Sequence, residues 1–248
     1  MRNIRLVLQY DGGRYEGWQR LGSGRAGRTI QGLLEEALSA MTGEEIELTG
    51  SGRTDAGAHA LGQVANFHTG STMSLRAMQD WLERELPRDI AVSGMDEVET
   101  RFHARYHARF KRYAYRIDTG RVHDVFMRRY ALHIPRLLDW DAMRQAADLL
   151  CGKHDYTSFT NARMKDKSAV RELFSIQFEK AGQHVDLVFS GEGFLHNMVR
   201  IMAGTLLETG YQRLAPGEIP RIIAARDRQA AGPMLPAHAL VLLEVGYE

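Results

Sequence analysis

A carboxylate and a guanidinium stand two residues apart in a run crowded with glycine, Gly50-Ser51-Gly52-Arg53-Thr54-Asp55-Ala56-Gly57-Ala58-His59-Ala60. Glycine lets a backbone turn sharply or approach another group closely. The pattern therefore predicts Asp55 held at the end of a sheet, between the β-like runs Ile46-Glu47-Leu48 and Gln63 to His68. A carboxylate presented that way is a candidate nucleophile or base. A second guanidinium, Arg200, lies in the apolar run Leu195 to Met202. Burying it alone would cost several kcal/mol, so it needs a carboxylate. Asp55 can supply one, and so can a purely structural pair with Glu208 or Asp186.

The stretch Thr100 to Arg116 carries Arg101, Arg105, Arg109, Lys111, Arg112 and Arg116 among Phe102, Tyr106, Phe110, Tyr113 and Tyr115, with no carboxylate. Cations interleaved with aromatics favour contact with RNA. The alternative is an exposed basic strand paired with acids elsewhere, such as Glu35, Glu36, Glu44, Glu45 and Glu47. Tyr113 and Tyr115 are two apart on one strand, so their rings face the same way. A further basic and aromatic loop, Arg14 to Arg28, reads either as an RNA contact or as a hairpin tip.

Other chemistries fail on spacing. A dinucleotide fingerprint begun at Gly50 and Gly52 would need glycine where Asp55 stands, and no Gly-Lys-Ser/Thr ending makes a phosphate loop. His103 and His107 have a helical metal-ligand spacing, but no Glu lies between them and Arg105 would repel a cation, so no metal is expected. A zinc deaminase needs paired cysteines, and Cys151 is alone. No Gly-x-Ser-x-Gly nucleophile elbow is present.

The elements that must position these groups follow from periodicity and caps. Ile4, Leu6, Leu8 and Tyr10 alternate as a strand. Thr29 caps a helix with an Ile30, Leu33, Leu34, Ala37, Leu38, Met41 stripe and Gly43 near its end, and Ser74 caps another that stops at Pro87. With Ile90 to Val98 as a fourth strand, the order is β-α-β-β-α-β, a ferredoxin-like arrangement. A second half is expected to be built alike: a strand from Phe110 to Ile117, a helix capped by Asp139, strands over Val170 to Phe178 and Val185 to Phe189, helices over Leu195 to Glu208 and Pro216 to Ala225, and a closing strand Leu240 to Val245. The expected fold is α+β, with two ferredoxin-like halves, residues 1–105 and 106–248, whose antiparallel sheets join and leave a catalytic cleft between them.

Composition sets wider bounds. The 248 residues, 44% hydrophobic, are enough to bury a substantial core, and a net charge of +1 means that any polyanion site is a local patch. Of the 32 cationic residues 27 are Arg, which reads either as selection for bidentate phosphate contacts or as genomic base composition. One cysteine excludes an intrachain disulfide, and no apolar run approaches membrane-spanning length, so a soluble cytoplasmic protein is expected.

The loop around Asp55 resembles the signature of the tRNA pseudouridine synthase A family, which usually carries Val at the position of Ala58. Tyr10-Asp11-Gly12, Gly17-Trp18-Gln19-Arg20, Phe102-His103-Ala104-Arg105, Arg112-Tyr113-Ala114-Tyr115, His154 to Phe159, Phe194 to Arg200 and Ala231-Gly232-Pro233 with Pro236-Ala237 are similar to family blocks in family order. Ala239 and Val241 replace the usual Gly and Tyr around Leu240, and Met234-Leu235 replace small residues, which bears on the pocket floor. The resemblance implies a cofactor-free isomerase that converts uridine to pseudouridine at positions 38, 39 and 40 in the anticodon stem-loop of tRNA, acting as a homodimer. It implies Asp55 as nucleophile or base, Arg200 as its partner, Arg53 in the space left by the extruded base, Tyr113 stacked on the uracil and Leu240 as the wall opposite. Arg20, Arg105, Lys111 and Arg112 are implied as RNA-backbone contacts. A non-catalytic tandem RNA-binding module is the rival, and it has no use for Asp55 beside a phosphate site.

Overall fold

The computed structural model describes residues 1–22, 28–163 and 168–248. Part of the expected Arg14 to Arg28 contact loop therefore lies outside the described residues. The fold is mixed α+β and its strands pair mostly antiparallel; none of the helices described is long and apolar enough to cross a membrane. Two compact units are present, residues 1–109 with 242–248, and residues 110–241.

The first unit contains β1 (Arg2–Tyr10), α1 (Ile30–Thr42), β2 (Thr49–Gly50), β3 (His59–Thr69), α2 (Leu75–Glu85) and β4 (Ile90–Val98). Its strands lie in the order β4-β1-β3, with β2 also on β3. Alternation along β1 sends Ile4, Leu6, Leu8 and Tyr10 into the core, where Leu34, Leu38, Met78 and Leu82 of the two helices are also buried. Local chemistry sets the helix ends. Thr29 Oγ1 accepts from Gly32 N, Gly43 closes α1 at φ 72°, and Ser74 Oγ accepts from Ala77 N.

Ile46 to Leu48 is not a strand: the pairing covers only Thr49 and Gly50, opposite Asn66 and Ala65. Side chains of α1 take the bonds that a neighbouring strand would make. Glu35 Oε1 accepts from Leu48 N, Gln31 Nε2 donates to Leu48 O and Ser39 Oγ accepts from Ile46 N. The segment is thereby pinned under α1, with Ile46 and Leu48 buried.

The second unit contains β5 (Phe110–Asp118), β6 (Leu132–His133), α3 (Trp140–Leu150), β7 (Gly152–Asp155), β8 (Val170–Ala181), β9 (His184–Gly191), α4 (Met198–Gly210) and α5 (Ile219–Ala225). Its order is β5-β9-β8-β7, with β6 parallel to β5. β7 had no signal in sequence, because Gly-Lys-His-Asp shows no apolar alternation; it exists by pairing with β8. The helix expected from Leu195 begins only at Met198, since Asn197 at φ 63° takes the left-handed conformation that a helix cannot contain. The basic strand begins at Phe110 as expected and runs to Asp118, so residues 101–109 lie outside it. A last strand, β10 (Leu240–Gly246), has Leu240 and Val241 in the second unit and the rest in the first, next to β3.

Candidate active site

Asp55 opens a β-turn in which Ala58 N donates to its carbonyl at 3.1 Å and Gly57, at φ 81°, takes the conformation that other residues avoid. The Asp55 side chain is half-buried and Arg53 is exposed. The segment that follows β1 clamps both flanks of this turn. Tyr10 Oη and Thr54 Oγ1 share a buried 2.8 Å hydrogen bond, and Trp18 N donates to Thr54 O at 3.2 Å. Gln63 ties the start of the loop, accepting from Ser51 Oγ at 2.6 Å and donating to Gly52 O at 3.1 Å. Burial pushes the Tyr10 phenol up to about 12, so it is a neutral tether at physiological pH.

Gly12 makes the closest approach. A Cβ there would lie 1.8 Å from Ala58 O, so no larger residue fits against this backbone. Gly12 N donates to Nδ1 of the buried His59 at 3.1 Å. The Asp11 carboxylate lies 3.1 Å from the same nitrogen. A short segment quoted in sequence only for its residue types is thus the support on which the Asp55 turn rests. Gln63, buried within β3, had no sequence signal at all.

Arg200, Tyr113 and Leu240 belong to the second unit. Arg200 Nε donates to Leu235 O at 2.7 Å, and Leu235 N donates back to Arg200 O at 3.3 Å. The segment holding Leu235 lies against α4 at Gly204, where a Cβ would be 1.8 Å from Pro233 O. Gly232 N donates to Thr205 Oγ1 at 2.9 Å, so this segment is docked on the helix at both Arg200 and Thr205. Tyr115 Oη donates to Pro236 O at 3.0 Å. Burial pushes its phenol well above the usual range while the Arg200 guanidinium pulls the other way. The acids weighed as structural partners of Arg200 are engaged by other arginines, Asp186 by Arg116 at 3.3 Å and Glu208 by Arg213 at 3.3 Å. Tyr113 is buried on β5 and meets Phe194 edge-on at 5.2 Å, and Leu240 is buried where β10 begins. Neither the aromatic contact of Tyr113 nor the docking segment before Leu235 could be placed from spacing.

The cations divide into two groups. Arg14 binds Asp89, Arg20 binds Glu35 at 3.0 Å and Arg28 binds Glu16, so each described arginine of the first basic loop has an acid partner. Arg112 and Arg116 of β5 face Glu179 and Asp186, which are not the acids expected from sequence. Lys111 is half-buried on the same strand. Arg101, Arg105 and Arg109 are exposed. His103 and His107 serve the local turn: His103 Nδ1 accepts from Arg105 N and Tyr106 N, and His107 Nδ1 from His103 N.

Glu35 is the buried end of the Arg20 pair, with 5% of its side chain exposed against 48% for Arg20. Its removal strands Leu48 N, so Glu35→Ala is expected to cost about 2 kcal/mol of stability. Arg20→Ala should cost under about 1 kcal/mol, because its charge stays half in water. Urea unfolding distinguishes them, and equal losses would mean that the ion pair rather than the Leu48 bond is what holds the segment.

Comparison with known proteins adds independent findings. A family described as tRNA pseudouridine synthase matches residues 6–107 and 146–248. A tRNA pseudouridine synthase A of Bacillus sp. (strain KSM-64) is 46% identical over 232 residues, 94% of each chain. One from Brevibacillus brevis is 44% identical, and a tRNA pseudouridine synthase A 2 of Bacillus anthracis 42% identical, each over 247 residues and the full length of both chains.

Proposed function

The chain belongs to the tRNA pseudouridine synthase family, isomerases that convert uridine to pseudouridine in tRNA, and from that premise we propose that Asp55 is the catalytic carboxylate and that the targets are uridines 38, 39 and 40 of the anticodon stem-loop. The reaction breaks the N1–C1′ glycosidic bond, turns the uracil and joins C1′ to C5. A proton leaves C5 and one is gained at N1, so the product is an isomer and no redox carrier or group donor is consumed. What the chain must supply is a group that acts at the ribose or base, a means of holding the detached uracil, and a surface for RNA.

The observation that carries the assignment is the support of the Asp55 turn. It is fixed on its N-terminal flank by Tyr10, Trp18 and Gln63 and on its C-terminal flank by the bond from Gly12 to His59, while the carboxylate remains half-exposed. Precise placement of a reacting group on such rigid elements is what lowers the barrier. In this reading Arg200 acts with Asp55, and Asp186 and Glu208, its alternative acid partners, are engaged by other arginines. The extruded base leaves the stack at a cost of a few kcal/mol, Arg53 fills its place, Tyr113 stacks on the uracil and Leu240 closes the other side. Arg20, Arg105, Lys111 and Arg112 follow the RNA backbone. The order β1-α1-β2-β3-α2-β4 with strands in the order β4-β1-β3-β2 supports a ferredoxin-like first half, and the second unit is read as a half of the same kind. The protein acts in the cytoplasm as a homodimer, which lets a chain of net charge +1 gather basic surface around one tRNA.

Unmodified tRNA transcripts that retain uridine at only one of the three positions test the site choice. Each is expected to yield pseudouridine at that position by mass spectrometry. Conversion confined to another arm of the tRNA would remove the anticodon assignment.

A further inference from the structure

The turn between β4 and β5 carries a large aromatic ring that the proposed reaction does not use. Tyr106 is 75% exposed, although it sits in a segment whose other side is locked into the first unit. Ala104, completely buried, donates its N–H to Asn66 Oδ1 at 2.9 Å and accepts from Tyr247 Oη at 2.7 Å. Asn3 Nδ2 donates to Phe102 O at 2.9 Å, and Asn66 Nδ2 donates to Asn3 Oδ1 at 3.0 Å. Phe102 packs on Tyr247 with ring centroids 5.1 Å apart, and the Arg5 guanidinium lies over both rings. The backbone under Tyr106 is therefore rigid.

The ring itself is also positioned. His103 lies 4.2 Å from it, tilted by 31°, and the Arg105 guanidinium is 5.9 Å from its centroid. His103 Nδ1 accepts from both Arg105 N and Tyr106 N, which closes the turn. Burial lowers the His103 pKa, so at neutral pH the ring keeps that nitrogen as an acceptor. Arg101, Arg105 and Arg109 are exposed on the same turn, and no carboxylate occurs from Thr100 to Lys111. The acids of neighbouring β4, Asp96 and Glu97, are bound by Arg5 and Arg2.

We propose that Tyr106 is a stacking platform for an unpaired base of the tRNA, backed by His103 and Arg105, with Arg101 and Arg109 on the adjacent phosphates. A ring 75% exposed beside the Arg105 guanidinium, on a turn that also carries exposed Arg101 and Arg109, suits a base joined to phosphate better than a protein partner's apolar core. A preordered aromatic loses little entropy when a base settles on it. Stacking of this kind tolerates any base, so the site adds affinity and register rather than choice of uridine.

The inference rests on tRNA being the substrate, and a binding measurement separates its failure from that of the catalytic reading. Titrating the full chain with unmodified tRNA transcript at fixed salt, Tyr106→Ala is expected to weaken binding roughly ten- to a hundredfold, while Tyr106→Phe stays within about twofold because the π face is kept. At saturating tRNA, kcat should be that of the wild type for both variants, since the ring touches no reacting atom. Wild-type affinity in Tyr106→Ala, or equal losses in both variants, would overturn the platform. So would a Tyr106→Ala chain that sediments as a smaller assembly than the wild type, which would assign the ring to a second copy. A wild-type chain that binds tRNA without forming pseudouridine would instead defeat the catalytic reading and leave the platform standing.

Discussion

Asp55→Asn is expected to reduce kcat/KM for pseudouridine formation by roughly ten-thousandfold or more, the scale reached when a reacting group that works as part of a unit is removed. The amide has the shape of the carboxylate but neither its charge nor its basicity, so the loss isolates chemistry from packing. The hydrogen bonds at the flanks of the turn are made by Thr54, Ser51 and the backbone at Asp55 and Ala58. With those bonds kept, the variant should still fold cooperatively, its loss of stability limited to what the carboxylate's charge contributes. It should also bind tRNA at least as well, because a negative charge beside a polyanion has been removed. Quantifying pseudouridine in unmodified transcript, with the unfolding curve and affinity measured on the same preparations, checks all three. Activity within tenfold of the wild type would move the catalytic role away from Asp55, and a collapsed melting curve would show that the carboxylate is structural.

Gly12→Ala is the second large effect, and it acts without touching the proposed chemistry. The added methyl would lie 1.8 Å from Ala58 O. Reaching ordinary contact means separating two backbones by roughly 1.5 Å. That displacement stretches the bond from Gly12 N to His59 and shifts the turn that carries Asp55. A destabilisation of about 2–3 kcal/mol is expected from overpacking. A fall of roughly a hundredfold in kcat should accompany it, since misplacing a reacting group by an ångström has that effect. Gly217→Ala provides the comparison, because a Cβ there meets nothing within 4 Å. It should behave as the wild type in denaturation and turnover. If Gly12→Ala did so too, the turn would not depend on this contact.

Much of the first unit is legible in the sequence. Thr29, Gly43 and Ser74 mark helix ends by hydrogen bonds and dihedral angles that involve only neighbouring residues, and the alternation along β1 reports one buried face. The Asp55 turn was legible for the same reason, because a glycine at positive φ three residues into a turn is a local event. Ile46 to Leu48 misled because its apolar content is equally suited to a strand or to a strap beneath a helix. The bond from Leu48 N to Glu35 decided the matter from 13 residues away. Asn197 misled in another way: its apolar flanks continue the helical pattern, and only its left-handed backbone breaks it.

Residue type and short-range spacing by themselves determined the family blocks, the helix caps and the choice of Asp55 and Arg200 as the groups to watch. Tertiary structure alone decided what holds them: Gly12 against Ala58, Gln63 on the Asp55 loop, and the Leu235 carbonyl on Arg200. It also decided that residues 242–248 fold with the first unit, where Arg109 N donates to Gly246 O and Tyr247 packs on Phe102. It left Tyr106 exposed on a rigid turn, although it follows an arginine just as the buried Tyr113 does. The division has one cause. A cap or a turn is settled by a few adjacent dihedrals, whereas close approach, burial and strand pairing depend on which distant backbone arrives, and a linear pattern holds no distance.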